Sequence, residues 1–500
     1  MNQQIRHIMI VGGGTSGWLV AAYLKNNLPP QVKLSLIEST KIGPIGVGEG
    51  TQPFTMQFLR EAGITPEMWM KDASATYKLG VEFVGWHDRP YFVDNDTYET
   101  FVIGPNTTTM PYWADKGTNQ FFDWLPSYRL AKENKSPKMS SELDHTPGLV
   151  SPSWDAVHFN AFRIGDTLRQ MLKNKIDYYD TEIVEVDKND HGIEKLRDVT
   201  GKEYMADLYI DCSGFKSILL EQGLGEPFIE CNDVLLCNRA VAMPTQYKNK
   251  ETEMFPYTRA TTMNYGWRWT IPISERVGNG YVYSDLFISP EQAELELRQS
   301  LGDFTTPVNH LTMKIGYHKQ IAKQNVLAVG LSAGFVEPLE ATGITFTTKA
   351  VHFLMEALVK SNGVWDQQSR NRVNSQFETM FSEIVDFIFL HYKLSNKTGT
   401  DFWQAYKEMP MPEAVQKRLE FFSTDFPKQM FMKDNFQMFH TGQWFEMLLG
   451  SGYFKDRFTV LDPNYAKYAD MYIDYQKYKT DRVLEIFPNH SNYIAGLYDK

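Results

Sequence analysis

Short apolar runs that break into glycine recur three times in this chain, and they organise the rest of it. Ile8 to Val11 is an apolar run of the length of a buried parallel strand, ending in Gly12-Gly13-Gly14-Thr15-Ser16-Gly17. A helical pattern follows, its inward face carrying Leu19, Ala22 and Leu24, and then a second strand, Val32 to Ile37, closes on Glu38, 26 positions after Gly12. Ala206 to Phe215 and Val326 to Phe335 repeat the strand-to-glycine corner. Three such corners on one chain predict a single site assembled from discontinuous segments.

Between the corners the period changes. Alternation places Trp267, Trp269 and Ile271 on one face of a strand, as core or as the lining of a channel. Glu182 to Val186 and Leu196 to Met205 read as an antiparallel ribbon, and His158 to Leu172 as a helix. A helical pattern through Met56, Phe58 and Leu59, then Met68, Trp69 and Ala75, leads to Lys78, which reads on its own as a solvated corner residue. Residues 87–153 show no period and read as a loop-rich insertion whose aromatics wall a pocket or roof the core. From about Thr347 the chain is helical, including a long segment from Gln367 to Leu394.

The first corner suggests chemistry. Gly12, Gly14 and Gly17 permit a tight turn, close approach of a pyrophosphate and packing of helix on strand, while the helix start at Thr15 and Ser16 offers N–H groups to an anion. Glu38 stands where a carboxylate holds ribose hydroxyls, so a dinucleotide is expected. The run Ile45 to Pro53, with Gly46, Gly48 and Gly50, either approaches a flat ligand or is a surface loop. No second glycine fingerprint follows a strand, which argues against a dedicated nicotinamide domain.

Composition narrows the classes. With 500 residues, 42% of them apolar, the chain can bury a large core in two or three regions. A net charge of −11 without a Lys/Arg block argues against nucleic-acid or basic membrane-surface binding. Three cysteines without paired spacing suggest neither disulfides nor zinc. The first strand leaves no room for a signal peptide, and no apolar run nears the roughly 18–20 residues of a membrane span, so a cytoplasmic location is expected.

Taken together, Gly12-x-Gly14-x-x-Gly17, Gly46-Val47-Gly48-Glu49, Tyr77-Lys78-Leu79-Gly80, Ile210 to Phe215, Trp267-x-Trp269-x-Ile271-Pro272, Glu337-Pro338-Leu339-Glu340-x-Thr342-Gly343 and His391-Tyr392 with Asp401-Phe402-Trp403 stand in one order. In these landmarks the chain resembles the flavin-dependent halogenases of the tryptophan-halogenase type over nearly its full length. The double-tryptophan segment is the discriminating one, because flavin monooxygenases of similar fold lack it. The resemblance implies an α/β fold: an FAD-binding, Rossmann-like domain of the flavin monooxygenase type with an antiparallel sheet and a helical C-terminal substrate region. On this reading residues 1–345 form the FAD, halide and tunnel module, with the insertion at 87–153, and residues 346–500 cover the substrate.

The resemblance also implies roles. Lys78 is similar to the family's catalytic lysine, which hydrogen-bonds hypohalous acid or becomes a haloamine. Glu340 resembles the second catalytic residue, orienting the oxidant and helping to remove the arenium proton. N–H groups of Thr342 and Gly343 would hold chloride or bromide beside the flavin, with Gly48, Leu331 and Ile344 among the FAD-binding residues. Trp267, Trp269, Ile271 and Pro272 would keep the organic substrate from the flavin C4a-hydroperoxide, formed from FADH2 and O2, that oxidises halide. FADH2 would come from a separate NAD(P)H-dependent flavin reductase. The oligomeric state stays open, a homodimer being one option.

Two departures bear on substrate. Family members acting on free tryptophan carry a histidine-proline-phenylalanine segment some twenty residues after the lysine, yet no histidine lies between His87 and His145. The approach to Trp444, from Phe431 to Phe439, lacks the tyrosines and glutamate that bind the amino-acid backbone. Indole or another electron-rich arene is therefore expected, with Trp444 and Phe439 lining the pocket. The alternatives are a flavin-dependent aromatic monooxygenase and a catalytically silent flavoprotein that serves as a binding component.

Overall fold

The computed structural model describes residues 3–41, 48–95, 101–104, 107–139, 155–424, 438–455 and 462–499. Gly46 and Val47, and most of the Phe431 to Phe439 approach, lie outside the described residues. Two units are woven from discontinuous segments: Met1–Ala75, Phe159–Leu235 and Met313–Ser382 form the first, and Thr76–His158, Leu236–Thr312 and Glu383–Lys500 the second.

The apolar runs that end in glycine become neighbouring strands of the first unit. Its six-stranded sheet runs Asp177–Asp180, Lys33–Glu38, His7–Val11, Leu208–Asp211, Val326–Ala328, Ala322–Lys323, parallel except at the last pairing. Ile10 lies opposite both Leu36 and Ile210, and Ile210 opposite Leu327. Parallel register therefore brings the three glycine corners to one edge, at the carboxyl ends of the strands, where open α/β sheets take ligands. The expected ribbon is present as Ile183–Asn189, Gly192–Asp198 and Glu203–Tyr204.

Helix Thr15–Asn27 departs from a one-faced amphipathic element, because Gly17 to Leu24 are buried without interruption. Helices Pro53–Glu61, Ala161–Leu172 and Gly343–Lys360 all pack on it, so no side is left for water. Two helical expectations shorten. The segment His158 to Leu172 begins as strand Ala156–Asn160, and the helix starts at Ala161, where Asn160 Oδ1 accepts the N–H of Phe162 at 3.2 Å. The pattern through Met56 ends at Glu61, because Gly63 turns left-handed at φ 74°, and only a 3₁₀ turn at Pro66–Met68 follows.

The second unit holds a seven-stranded sheet in the order Asn309–Thr312, Arg239–Thr245, Val277–Tyr283, Gly266–Pro272, Thr258–Met263, Gly80–Val84, Tyr91–Asp94. All pairings are antiparallel except that of Thr258–Met263 with Gly80–Val84. The stretch read as loop-rich contains three helices of seven residues, Met110–Lys116, Thr118–Trp124 and Pro126–Lys132. Two turns are too few to print a legible period. Trp113, Phe121 and Trp124 pack on one another there, the two indoles with centroids 4.9 Å apart. No helix among the described residues is long and apolar enough to cross a membrane.

Candidate active site

The nucleotide corner is built by backbone. Gly12 has φ 114°, and a Cβ there would lie 2.3 Å from the carbonyl oxygen of Cys212, on the neighbouring corner. A Cβ on Gly17 would lie 1.9 Å from the Gly12 oxygen, whereas Gly14 faces open space. Helix Thr15–Asn27 has no side-chain cap, so its first N–H groups remain available to an anion. Thr15 Oγ1 donates to Ala161 O at 2.8 Å, and Ser16 Oγ sits 2.8 Å from Thr347 Oγ1, which fixes both residues on the surrounding helices. The third corner closes over them, since a Cβ on Gly330 would meet Ser16 Oγ at 2.5 Å. Leu331 follows in the turn Gly330–Ser332, and Gly48 opens the strand Gly48–Gly50.

Glu38 ends its strand against this loop, accepting from Tyr178 Oη at 2.8 Å and Trp18 Nε1 at 3.3 Å. Burial lifts its pKa above the ordinary carboxylate value, against those two hydrogen bonds and the Arg169 guanidinium. N–H donors at a helix start without a side-chain cap, a glycine open to close approach and an accepting carboxylate at the end of the second strand are the groups that FAD needs, and the residues fit it.

A second helix start lies in the same unit. The turn Pro338–Glu340 is followed by Ala341 in the left-handed region, φ 56°, and then by helix Gly343–Lys360 with Thr342 as its N-cap. Neither Thr342 Oγ1 nor Thr345 Oγ1, both buried, has a hydrogen-bond partner among the described residues. Glu340 is buried, with its backbone oxygen held by Gln52 Nε2 at 2.8 Å, and Ile344 is buried one position into the helix. An uncapped helix N-terminus with two unpartnered hydroxyls suits a small anion.

The lysine lies in the second unit. Lys78 is 0% exposed, which overturns its reading as a solvated corner; it sits in strand Thr76–Lys78 rather than at the end of a helix. That strand pairs with Ala156–Asn160, Lys78 opposite Ala156 and Thr76 opposite His158, so all four side chains share one face. Thr76 Oγ1 donates to Pro272 O at 2.6 Å, tying the lysine strand to the end of the double-tryptophan strand. His158 Nε2 is 2.8 Å from Thr258 Oγ1, and burial, then the charge of Lys78, hold its pKa well below normal. His490 accepts from the N–H of Tyr77 at 3.2 Å and so donates from Nδ1 to Met254 O at 2.9 Å; burial pushes its pKa down to about 4.

Trp267, Trp269 and Ile271 are buried along one face of strand Gly266–Pro272, the two indoles 6.3 Å apart. Gly280 makes room for them, since a Cβ there would lie 2.0 Å from Trp269 Cζ2. Trp444 and Phe439 are buried too, both against Phe387, at 4.7 and 4.0 Å. The approach to Trp444 carries no glutamate of its own, but helix Gln367–Leu394 brings one. Glu383 accepts from Met438 N at 3.0 Å, Phe439 N at 3.4 Å and Trp444 Nε1 at 3.2 Å. Its signal was present: a charge inside the apolar stripe of Met380, Ile384 and Phe387. Thus the flavin-type and anion-type residues gather in the first unit, and Lys78 with the tryptophan strand in the second; Lys78 and Glu340 belong to different units.

A glycine-cornered parallel sheet that fits FAD, joined in one chain to a buried lysine and a double-tryptophan strand, defines a flavoprotein enzyme class rather than a nicotinamide dehydrogenase. Residues 7–465 match the tryptophan halogenase family, and the chain belongs to it. It is an enzyme of the flavin-dependent halogenases. It is 34% identical over 472 residues to tryptophan 6-halogenase SttH of Streptomyces toxytricini, spanning 89% of each chain. With tryptophan 6-halogenase ThaL of Streptomyces albogriseolus it shares 32% over 459 residues, 87% of this chain and 85% of that one. Among solved structures, a flavin-dependent halogenase from Xanthomonas campestris superposes with TM-score 0.87 at 26% identity over 99% of both chains. BrvH, a flavin-dependent halogenase from Brevundimonas, does so at 0.86 and 29%, again over 99% of both.

Proposed function

We propose that this enzyme halogenates an electron-rich arene of the indole class, with Lys78 presenting hypohalous acid to the substrate and Glu340 as the second catalytic residue. The observation that carries the reading is the complete burial of Lys78 beside the strand that ends in Pro272. An ammonium withdrawn from water donates a strong hydrogen bond to an oxidant, and the neutral amine can be halogenated; either keeps the halogen at one point in space. Glu340 orients the oxidant and accepts the proton that the arene loses. Thr342 and Gly343 hold the halide, chloride or bromide, at their helix start. Gly12, Gly14, Thr15, Ser16 and Gly17 bind the pyrophosphate, Glu38 the ribose, and Gly48, Leu331 and Ile344 border the ring system. FAD, bound as FADH2, supplies the electrons with which O2 oxidises halide. A separate NAD(P)H-dependent reductase delivers it, since no second glycine fingerprint follows a strand. Trp267, Trp269, Ile271 and Pro272 wall the arene off from the flavin, and the reaction takes place in the cytoplasm.

The names of the relatives favour free tryptophan as a second substrate reading. The missing histidine between His87 and His145 favours an arene without an amino-acid backbone. Mass spectrometry decides, on enzyme supplied with FAD, a flavin reductase, NADH and oxygen and offered indole and tryptophan in parallel with chloride or bromide. A halogen isotope pattern on indole, lost by about a thousandfold in Lys78→Ala, is expected. Hydroxylated product without a halide requirement, or undiminished halogenation by Lys78→Ala, would overturn the proposal.

A further inference from the structure

Asn95 follows the edge strand Tyr91–Asp94 and is 3% exposed. Its side-chain nitrogen donates to the backbone oxygen of Lys78 at 2.9 Å, and its own backbone N–H donates to Leu79 O at 3.0 Å. Only the nitrogen of the amide can serve a carbonyl, so the orientation of the group is settled, and Oδ1 is turned toward the lysine. Lys78 Nζ stands 3.4 Å from that oxygen. The amide thus grips one residue at both ends, main chain and ammonium.

The grip is itself held. Gln443 Nε2 donates to Asp94 O at 3.0 Å, Asp94 N donates to Glu446 Oε2 at 2.9 Å, and Ser127 Oγ donates to Asp94 Oδ2 at 2.6 Å. Gln443 and Glu446 lie on helix Thr441–Gly450, which also carries Trp444. The main chain immediately before Asn95 is therefore held by two other elements, the helices that carry Ser127 and Gln443. A free lysine side chain samples many rotamers, and a buried acceptor at a fixed place selects among them.

We infer that Asn95 is a positioning residue for Lys78, holding its ammonium at the place where the oxidant is presented. The inference rests on the catalytic reading of Lys78 given above. Its effect is on where the halogen is delivered, not on whether oxidant is made.

The test compares Asn95→Asp, which keeps an acceptor for Nζ, with Asn95→Leu, which is of similar size and has none. Each is assayed with indole, bromide, FAD, a flavin reductase and NADH, alongside a monochlorodimedone trap for free hypobromous acid and a crystal structure of Asn95→Leu. Bromoindole formation should fall about 10- to 100-fold in Asn95→Leu and less in Asn95→Asp, with trapped hypobromous acid unchanged in both. The Nζ of Lys78 should leave its wild-type position in Asn95→Leu. Wild-type bromination by Asn95→Leu, a parallel fall of both products, or an unmoved Nζ would overturn the inference. Failure of the parent reading looks different: Lys78→Ala would then brominate as well as wild type.

Discussion

The first glycine corner and the lysine corner are built by opposite means. In the first unit the groups on offer are main-chain N–H donors at a helix start without a side-chain cap, and six contiguous residues, Gly12 to Gly17, supply most of the geometry. Side chains there matter mainly by being absent, since a Cβ at Gly12 or Gly17 would meet a carbonyl oxygen at 2.3 or 1.9 Å. In the second unit the corner is built around one buried side chain, Lys78, and its setting is drawn from Thr76, Asn95, His158, Thr258, Pro272 and His490. A backbone site can be written as a local motif. A side-chain site is written across four hundred positions and is readable only after folding.

Substitutions should separate these two modes sharply. Gly12→Val meets both a positive φ and the Cys212 carbonyl, and is expected to cost about 4 kcal/mol or more and to abolish FAD retention. Flavin fluorescence on the purified variant checks it, and normal FAD affinity would break the backbone account. In the second unit, Glu383→Ala strands the N–H groups of Met438, Phe439 and Trp444, at about 2–4 kcal/mol of stability. Glu383→Gln should recover part of it, because burial already raises the carboxyl pKa and an amide oxygen can accept. Chemical denaturation of the pair measures the difference.

The buried histidines predict a pH dependence with a definite sign. A pKa of about 4 for His490 in the folded protein, against about 6.5 unfolded, means that the native state prefers the neutral ring. That contribution is complete above pH 6.5 and is lost as pH falls toward 4, amounting to roughly 3 kcal/mol, with His158 acting in the same direction. Melting temperature followed from pH 7 to 4.5 should fall, and the slope should flatten in His490→Gln. An identical slope in that variant would assign acid sensitivity elsewhere. The smallest effect belongs to the first unit: Thr342→Val removes a buried hydroxyl that has no partner among the described residues and should leave stability within about 0.5 kcal/mol. If main-chain N–H groups hold the halide, the KM for bromide should also stay within about twofold. A large rise would show that the hydroxyl is a ligand.

What could be read in advance follows the same division. The three corners, the ribbon and the long helix Gln367–Leu394 stand where their apolar periods put them, because burial on a regular element imposes a repeat. The seven-residue helices at 110–132 left no trace of this kind, being shorter than two full repeats. The burial of Lys78 was hidden too, since nothing in Tyr77-Lys78-Leu79 says that strand Ala156–Asn160 will cover one side of it. Glu383 was visible only as an anomaly in an apolar stripe, and its donors only in the folded chain.

By itself the sequence determined the parallel sheet, the meeting of its three glycine corners and the family, because glycine spacing and strand endings are local constraints that act before any distant contact forms. The tertiary structure alone decided that Lys78 is dry, that Asn95 grips it and that Glu383 serves Trp444. Those facts depend on pairings between residues up to a few hundred positions apart, and the cost of burying a charge or an unpaired polar group is fixed only by the neighbours that folding supplies.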